Sequence, residues 1–317
     1  MNTNADIAHL NKEKKMAKTK WDSKDISDQK GRVAIVTGSS SGIGYQTARV
    51  LAVKNAKVIA AVRDLKKGDA ALDRIKSDHH DADVRVMELD LADLKSVRRF
   101  ADEFRKVYSR LDLLINNAGV MMPPYSKTAD GFEIQFGTNH LGHFALTGLL
   151  FDLLDATPGS RIVTVSSAAH NYGNLDFDDL HWEKRKYSKM KAYADSKIAN
   201  LYFTHELQRR LNGNGTKTLA AAAHPGWTAT ELQRHIGPLR FLNHIVAQDI
   251  TMGALPTLYG AVGEEVQGGD YFGPEGWREM KGYPTKVASK ELSHDEKIAK
   301  RLWEISEELA GVKFELS

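Results

Sequence analysis

The chain has 317 residues, a net charge of +3 at neutral pH, 42% hydrophobic residues and no cysteine. That length suits one large α/β domain and is short for two, and its interleaved acids and bases leave no nucleic-acid footprint. Disulfides, thiolate zinc sites and cysteine nucleophiles are excluded, and no stretch reads as a membrane span or signal-peptide core, so a cytoplasmic protein without an integral membrane segment is expected.

Residues 1–29 read as a polar, poorly ordered arm whose densest basic run is Asn11–Lys20. A single domain is expected over 30–317. Its first strand is the apolar run Arg32–Val36, followed by T-G-S-S-S-G-I-G from Thr37 to Gly44 and a helical pattern over Tyr45–Ala52. Ala56–Val62 is the second strand, with a polar helix from about Lys66. Val84–Leu89 is the third, followed by a helix from Leu94 to Tyr108. Leu111–Asn116 is the fourth strand, and one long helix is predicted over Ile134–Leu154. Arg161–Ser166 is the fifth strand. A polar, aromatic-rich insertion spans Ala168 to Lys191, ahead of a helix reaching Leu211. Thr218–His224 and Gly268–Phe272 give strands six and seven, and Arg301–Leu309 an amphipathic C-terminal helix. Alternating strands and helices predict a doubly wound, Rossmann-like parallel sheet with helices on both faces.

Two patterns carry chemistry. Glycines in a strand-to-helix turn allow close backbone approach to a pyrophosphate, which the helix N-terminus attracts. Tyr193 and Lys197 stand four apart in A-Y-A-D-S-K-I-A-N, hence on one helix face. An ammonium beside a phenol favours the phenolate, so a depressed Tyr193 pKa and a proton-transfer role are expected. His140, His143 and His224 could suggest a metal, but no nearby carboxylate completes a set, and they read as structural histidines.

The ordered motifs resemble the short-chain dehydrogenase/reductase superfamily from about Lys30 to near the C-terminus. They are the Thr37–Gly44 turn, D-L at Asp90, N-N-A-G at Asn116–Gly119, Asn139, S-S at Ser166 and Ser167, Y-x-x-x-K at Tyr193, and P-G at Pro225. The runs Phe136–Thr147 and Ala192–Leu201 resemble its retinol dehydrogenase and protochlorophyllide reductase-like branch. That resemblance implies Tyr193 as general acid or base, Lys197 depressing its pKa and holding the nicotinamide ribose, and Ser167 hydrogen-bonding the substrate oxygen. Asn139 would organise a water and Lys197 in a proton relay. It implies Gly38, Ser40, Ser41, Ile43 and Gly44 around the pyrophosphate, and Asp90 and Leu91 at the adenine. Asn117, Ala118 and Gly119 would pass beside the ribose. Pro225, Gly226, Thr228 and Thr230 would lie near the carboxamide and phosphates.

Strand two ends Val62-Arg63-Asp64. An arginine there accommodates a 2′-phosphate and an acid a free 2′-hydroxyl, so Arg63 favours NADP(H) while Asp64 keeps NAD(H) open. The resulting expectation is an NADP(H)-dependent oxidoreductase of a hydrophobic carbonyl or alcohol, assembled as a homodimer or homotetramer, without metal or nucleic acid. Specificity is assigned to a substrate lid near 227–250, and secondly to the insertion. The alternatives are a non-catalytic NAD(P)-sensing module, against which the complete Ser/Tyr/Lys set argues, and a light-dependent tetrapyrrole reductase, against which the missing cysteine argues. Several animal retinol dehydrogenases carry an N-terminal anchor, a pattern from which this sequence departs.

Overall fold

The computed structural model describes residues 20–228 and 248–315. Strand β1, Val33–Thr37, is buried along its whole length, as a parallel strand covered on both faces must be. Helix α1, Gly42–Val53, and β2, Lys57–Val62, follow, then α2, Leu65–Asp78, and β3, Val84–Glu88. Next come α3, Leu94–Val107, and β4, Leu113–Asn116. Helix α4 consists of Ile134–Phe136, a π turn over Gly137–Leu141 and Gly142–Leu149, and the short α5 is Phe151–Asp155. Strand β5, Arg161–Val165, leads through the insertion to α6, Lys189–Gly213, and β6, Leu219–Ala223. Helix α7 is Ile250–Val262, β7 Tyr271–Pro274, β8 Pro284–Lys286 and α8 Glu296–Ala310.

The eight strands form one sheet in the order β3-β2-β1-β4-β5-β6-β7-β8, and only β8 runs antiparallel to its neighbour. The order reverses between β1 and β4. In open α/β sheets the crevice beyond the carboxyl ends at such a switch point is where ligands bind. One face packs Phe100, Phe104, Phe144, Phe203 and Trp303 beneath α3, α4, α6 and α8. The other packs Val50, Leu51, Val58, Leu255 and Leu258 beneath α1, α2 and α7. Burying each such side chain contributes about 1.5–3 kcal/mol.

The predicted C-terminal helix is α8. Asp295 caps it by accepting from Lys297 N–H and Ile298 N–H, Gly311 ends it at φ +60°, and Trp303 is buried. Two predicted elements differ, and one helix has no counterpart among the predicted elements. The long helix over Ile134–Leu154 is interrupted by the π turn and again at Leu150, whose φ of −112° leaves the helical region. The seventh strand starts at Tyr271 rather than Gly268, because the preceding residues form a turn with Gly269 at φ +86° and Asp270 holding Gln267 N–H. Helix α7 carries Pro256 and two glycines, signals that argue against a helix, yet it packs its apolar residues against the sheet. Residues 20–29, assigned by sequence to the arm, are docked. Ile26 is buried, Trp21 meets Tyr259 edge-on at 5.0 Å, and Lys54 Nζ donates to the Ile26 carbonyl at 2.6 Å. Among the described residues no helix is long and apolar enough to cross a membrane.

Candidate active site

Strand β1 delivers the glycine turn to the carboxyl edge of the sheet. A Cβ placed at Gly44 would stand 2.4 Å from both the Gly38 carbonyl oxygen and Asn117 Nδ2, so the turn closes only with glycine there. Ser41 precedes α1 without a side-chain cap, and no acid stands in that helix's first turn. A helix N-terminus left open behind close-packed glycines fits a pyrophosphate. Ser40, Ser41 and Ile43 lie half-buried along this turn.

Thr37, the last residue of β1, ties the turn to the end of β4. Its Oγ1 accepts from Asn117 N–H and Ala118 N–H, both at 2.9 Å, and Asn117 Nδ2 donates to the Thr37 carbonyl at 2.8 Å. Gly119 lies in the gap between two predicted catalytic residues. A Cβ there would be 3.0 Å from Asn139 Oδ1 and 3.7 Å from Lys197 Nζ.

Tyr193 and Lys197 are both buried on α6, with Lys197 Nζ 5.7 Å from the centre of the Tyr193 ring. Lys197 Nζ donates to the Val165 carbonyl at 3.0 Å, a carbonyl that also accepts from Asn200 Nδ2 at 3.1 Å. Burial pushes Lys197 down to about 8. It pushes Tyr193 up to about 12, against a smaller opposing effect of its hydrogen bond with Ser167. The phenol is therefore raised, not depressed as its spacing from Lys197 suggests, because desolvation of the phenolate outweighs the hydrogen bond with Ser167.

The two serines diverge as the alternation of a strand requires. Ser167 is half-buried and hydrogen-bonds Tyr193, whereas Ser166 is buried and donates to the Lys197 carbonyl at 2.8 Å. Asn139 sits in the π turn of α4. Its Oδ1 accepts from Val120 N–H at 2.8 Å, and its Nδ2 donates to the Val120 carbonyl and Ser196 Oγ, both at 3.0 Å. The amide is thus committed to shaping the loop beside Gly119.

Arg63 is exposed just past β2, and Asp64 caps α2 by accepting from Lys67 N–H at 3.2 Å. Asp90 accepts from Ala92 N–H at 2.9 Å. Leu91 is buried against Gly142, where a Cβ would meet its carbonyl oxygen at 2.4 Å. After β6, Gly226 takes φ +63°, and Thr228 Oγ1 donates to the Pro225 carbonyl at 2.7 Å. Gln248 N–H returns to the Trp227 carbonyl at 2.9 Å. Thr230 and residues 229–247 of the expected lid lie outside the described residues.

Several contributors escaped the sequence. Arg74 lies 11 positions beyond Arg63 on α2, yet its Nη2 donates to the Ser40 carbonyl at 3.3 Å and its guanidinium covers the Tyr45 ring at 4.3 Å. Gln135 accepts from Met122 N–H at 2.8 Å and donates to Tyr187 OH at 2.9 Å, joining the insertion to the loop after β4. Tyr187 OH in turn donates to the buried Glu133 at 2.7 Å. None of these pairs has a local signal, since each joins distant segments. The three histidines have protein partners. His140 meets Ser306 at 2.8 Å, His143 meets Thr37 and the Asn139 carbonyl, and His224 meets Glu279 at 2.9 Å.

Comparison with known proteins adds sequence relatives. The profile of the short chain dehydrogenase family matches residues 32–239. Human retinol dehydrogenase 13 is 43% identical over 297 residues, covering 89% of this chain and 86% of that protein. Human retinol dehydrogenase 12 is 44% identical over 290 residues, covering 90% and 88%. A crystal structure of a Mycobacterium paratuberculosis protein aligns with a TM-score of 0.80 at 44% identity, covering 94% of this chain and all of that one. Pseudomonas aeruginosa RhlG, solved with NADP, shares the fold at a TM-score of 0.61 and 23% identity, covering 77% and 94%.

Proposed function

Because the chain belongs to the short chain dehydrogenase family, in its retinol dehydrogenase-like branch, it is an oxidoreductase of alcohol and carbonyl groups, and we propose that it uses NADP(H) on a hydrophobic substrate with Tyr193 as general acid and base. The carrying observation is the convergence of Tyr193, Ser167 and Lys197 beside the glycine turn at the switch point of the sheet. The bound nicotinamide supplies or accepts the hydride. The chain's residues do the rest.

A phenol raised to about 12 is protonated throughout the neutral range, so Tyr193 is set to give its proton to a carbonyl oxygen during reduction. Ser167, hydrogen-bonded to that phenol, stands where it can also donate to the same substrate oxygen as negative charge develops. Lys197, fixed by the Val165 carbonyl, holds positive charge in the site below about pH 8 and contributes to holding the ribose. Asn139 acts by holding Val120 and Ser196.

Preference for NADP(H) rests on where the charges stand. Asp64, the acid that could accept from a ribose 2′-hydroxyl, is engaged in capping α2. Arg63 is exposed just past β2 and Arg74 lies against Ser40 of the glycine turn, so one guanidinium group stands at the end of β2 and another on the turn. The names of the relatives specify retinol, which makes long apolar alcohols and their aldehydes the first substrates to test. A cytoplasmic setting is the one the cysteine-free composition favours.

The test is consumption of NADPH and NADH by purified protein across aldehydes, ketones, steroids and retinoids, for wild type and Tyr193→Phe. Losing the proton donor should lower turnover by about 10²–10⁴ while cofactor still binds. Turnover of Tyr193→Phe within a few-fold of wild type would remove the residue from its role.

A further inference from the structure

Sequence reading leaves His143 as a structural histidine. The structure gives each of its ring nitrogens a different partner. His143 is buried on α4, one turn beyond Asn139. Its Nδ1 lies 2.9 Å from the Asn139 carbonyl oxygen inside the π turn. A carbonyl only accepts, so Nδ1 carries the hydrogen. Burial holds the ring neutral, pushing it down to about 4, and Nε2 is left as an acceptor.

Nε2 lies 2.9 Å from Thr37 Oγ1. The Thr37 hydroxyl has one hydrogen and two lone pairs, and Asn117 N–H and Ala118 N–H occupy the lone pairs. Its hydrogen can therefore go to Nε2, or to the Ile115 carbonyl at the longer distance of 3.2 Å. The donation to Nε2 completes every valence in the group.

We propose that His143 is a positioning residue, fixed as the Nδ1–H tautomer, that couples the π turn carrying Asn139 to the strand ends that hold the cofactor. Through Nδ1 it sets the backbone that shapes Gly119 and Val120 beside Lys197. Through Nε2 it sets the Thr37 hydroxyl, and with it the peptide groups of Asn117 and Ala118. The inference rests on the cofactor and Tyr193 assignments made above.

Two amide substitutions separate the two nitrogens. His143→Asn keeps an N–H near the position of Nδ1 and loses the atom that reaches Thr37. His143→Gln places its amide near Nε2 and leaves the Asn139 carbonyl without that donor. One neutral hydrogen bond corresponds to about 5–10-fold. His143→Asn should weaken NADPH binding by about that factor, measured by tryptophan fluorescence without turnover, with kcat at saturating NADPH within about 3-fold of wild type. His143→Gln should bind NADPH nearly normally and lose about 10-fold or more in kcat.

Equal effects of the two variants on binding and turnover would overturn the coupling and leave His143 as core filling. A wild-type measurement stands apart from folding of the variants. The ¹⁵N shifts of the His143 ring should show the proton on Nδ1, and an Nε2–H tautomer would refute the scheme. Tyr193→Phe run in the same assays separates the two claims. If it turns over normally the acid/base assignment falls, while the NADPH affinity of His143→Asn still decides this one.

Discussion

The adjacent serines allow a crossed test of the site. Ser167→Ala removes a hydroxyl bonded to the Tyr193 phenol. Its other contact, accepting from Ala169 N–H, is long at 3.2 Å and lies at the half-buried rim, so its loss should leave melting within about 2 °C of wild type. At the reacting oxygen, removal of one such donor costs about 10²–10³ in kcat, or about 2.7–4 kcal/mol. Ser166→Ala does the reverse. The Ser166 hydroxyl donates to the Lys197 carbonyl at 2.8 Å and also bonds the buried Tyr271 phenol. Two lost neutral bonds at about 1 kcal/mol each give about 2 kcal/mol of lost stability. In a domain of this size that lowers the melting temperature by about 3–4 °C, while kcat should stay within about 5-fold. Steady-state kinetics with NADPH and a long-chain aldehyde, together with calorimetric melting of both variants, decide the matter. If Ser166→Ala loses the turnover and Ser167→Ala keeps it, the assignment of the two hydroxyls is wrong.

Gly44→Ala would put a methyl group 2.4 Å from the Gly38 carbonyl oxygen and from Asn117 Nδ2, and the backbone atom cannot yield cheaply. Overpacking and a disturbed Asn117 bond should together cost roughly 2–4 kcal/mol in denaturant melts and weaken cofactor binding, and an unchanged melt would show that the turn is slack. Arg63→Ala should weaken NADPH by about 1.5–3 kcal/mol with little effect on NADH, and equal losses in calorimetric titrations would rule out phosphate reading by Arg63. Lys197 gives a signed pH dependence. Its folded pKa of about 8 lies below the ordinary 10.5, so between those values the unfolded chain binds more protons and stability rises with pH by about 1 kcal/mol per unit. Lys197→Met should lack that component, so urea melts of the two proteins should diverge only above pH 8, whereas parallel curves from pH 7 to 10 would contradict the burial effect.

Features encoded in contiguous residues were open to reading from the amino-acid order. Buried parallel strands show as unbroken apolar runs, so β1, β2, β4, β5 and β6 were legible, along with the doubly wound class. The glycine turn and the Tyr193–Lys197 pair were legible because each sits within one strand-turn-helix or one helical turn. That only one of Ser166 and Ser167 can face the site was legible too, since strand alternation sends neighbours to opposite sides, whereas the preference for Ser167 came from the family resemblance. Tertiary structure alone decided the rest. Helix α7 forms despite Pro256 because its apolar residues have a sheet face to cover, and α4 is broken where its one-period pattern showed no break. The direction of the Tyr193 shift depends on how completely other segments exclude water, which spacing from Lys197 does not encode. The same holds for the Thr37–His143 bond, between residues 106 positions apart, and for Arg74 against Ser40. Hydrogen bonds and desolvation act over a few ångströms of space, and only the folded sheet brings those distant positions within that range.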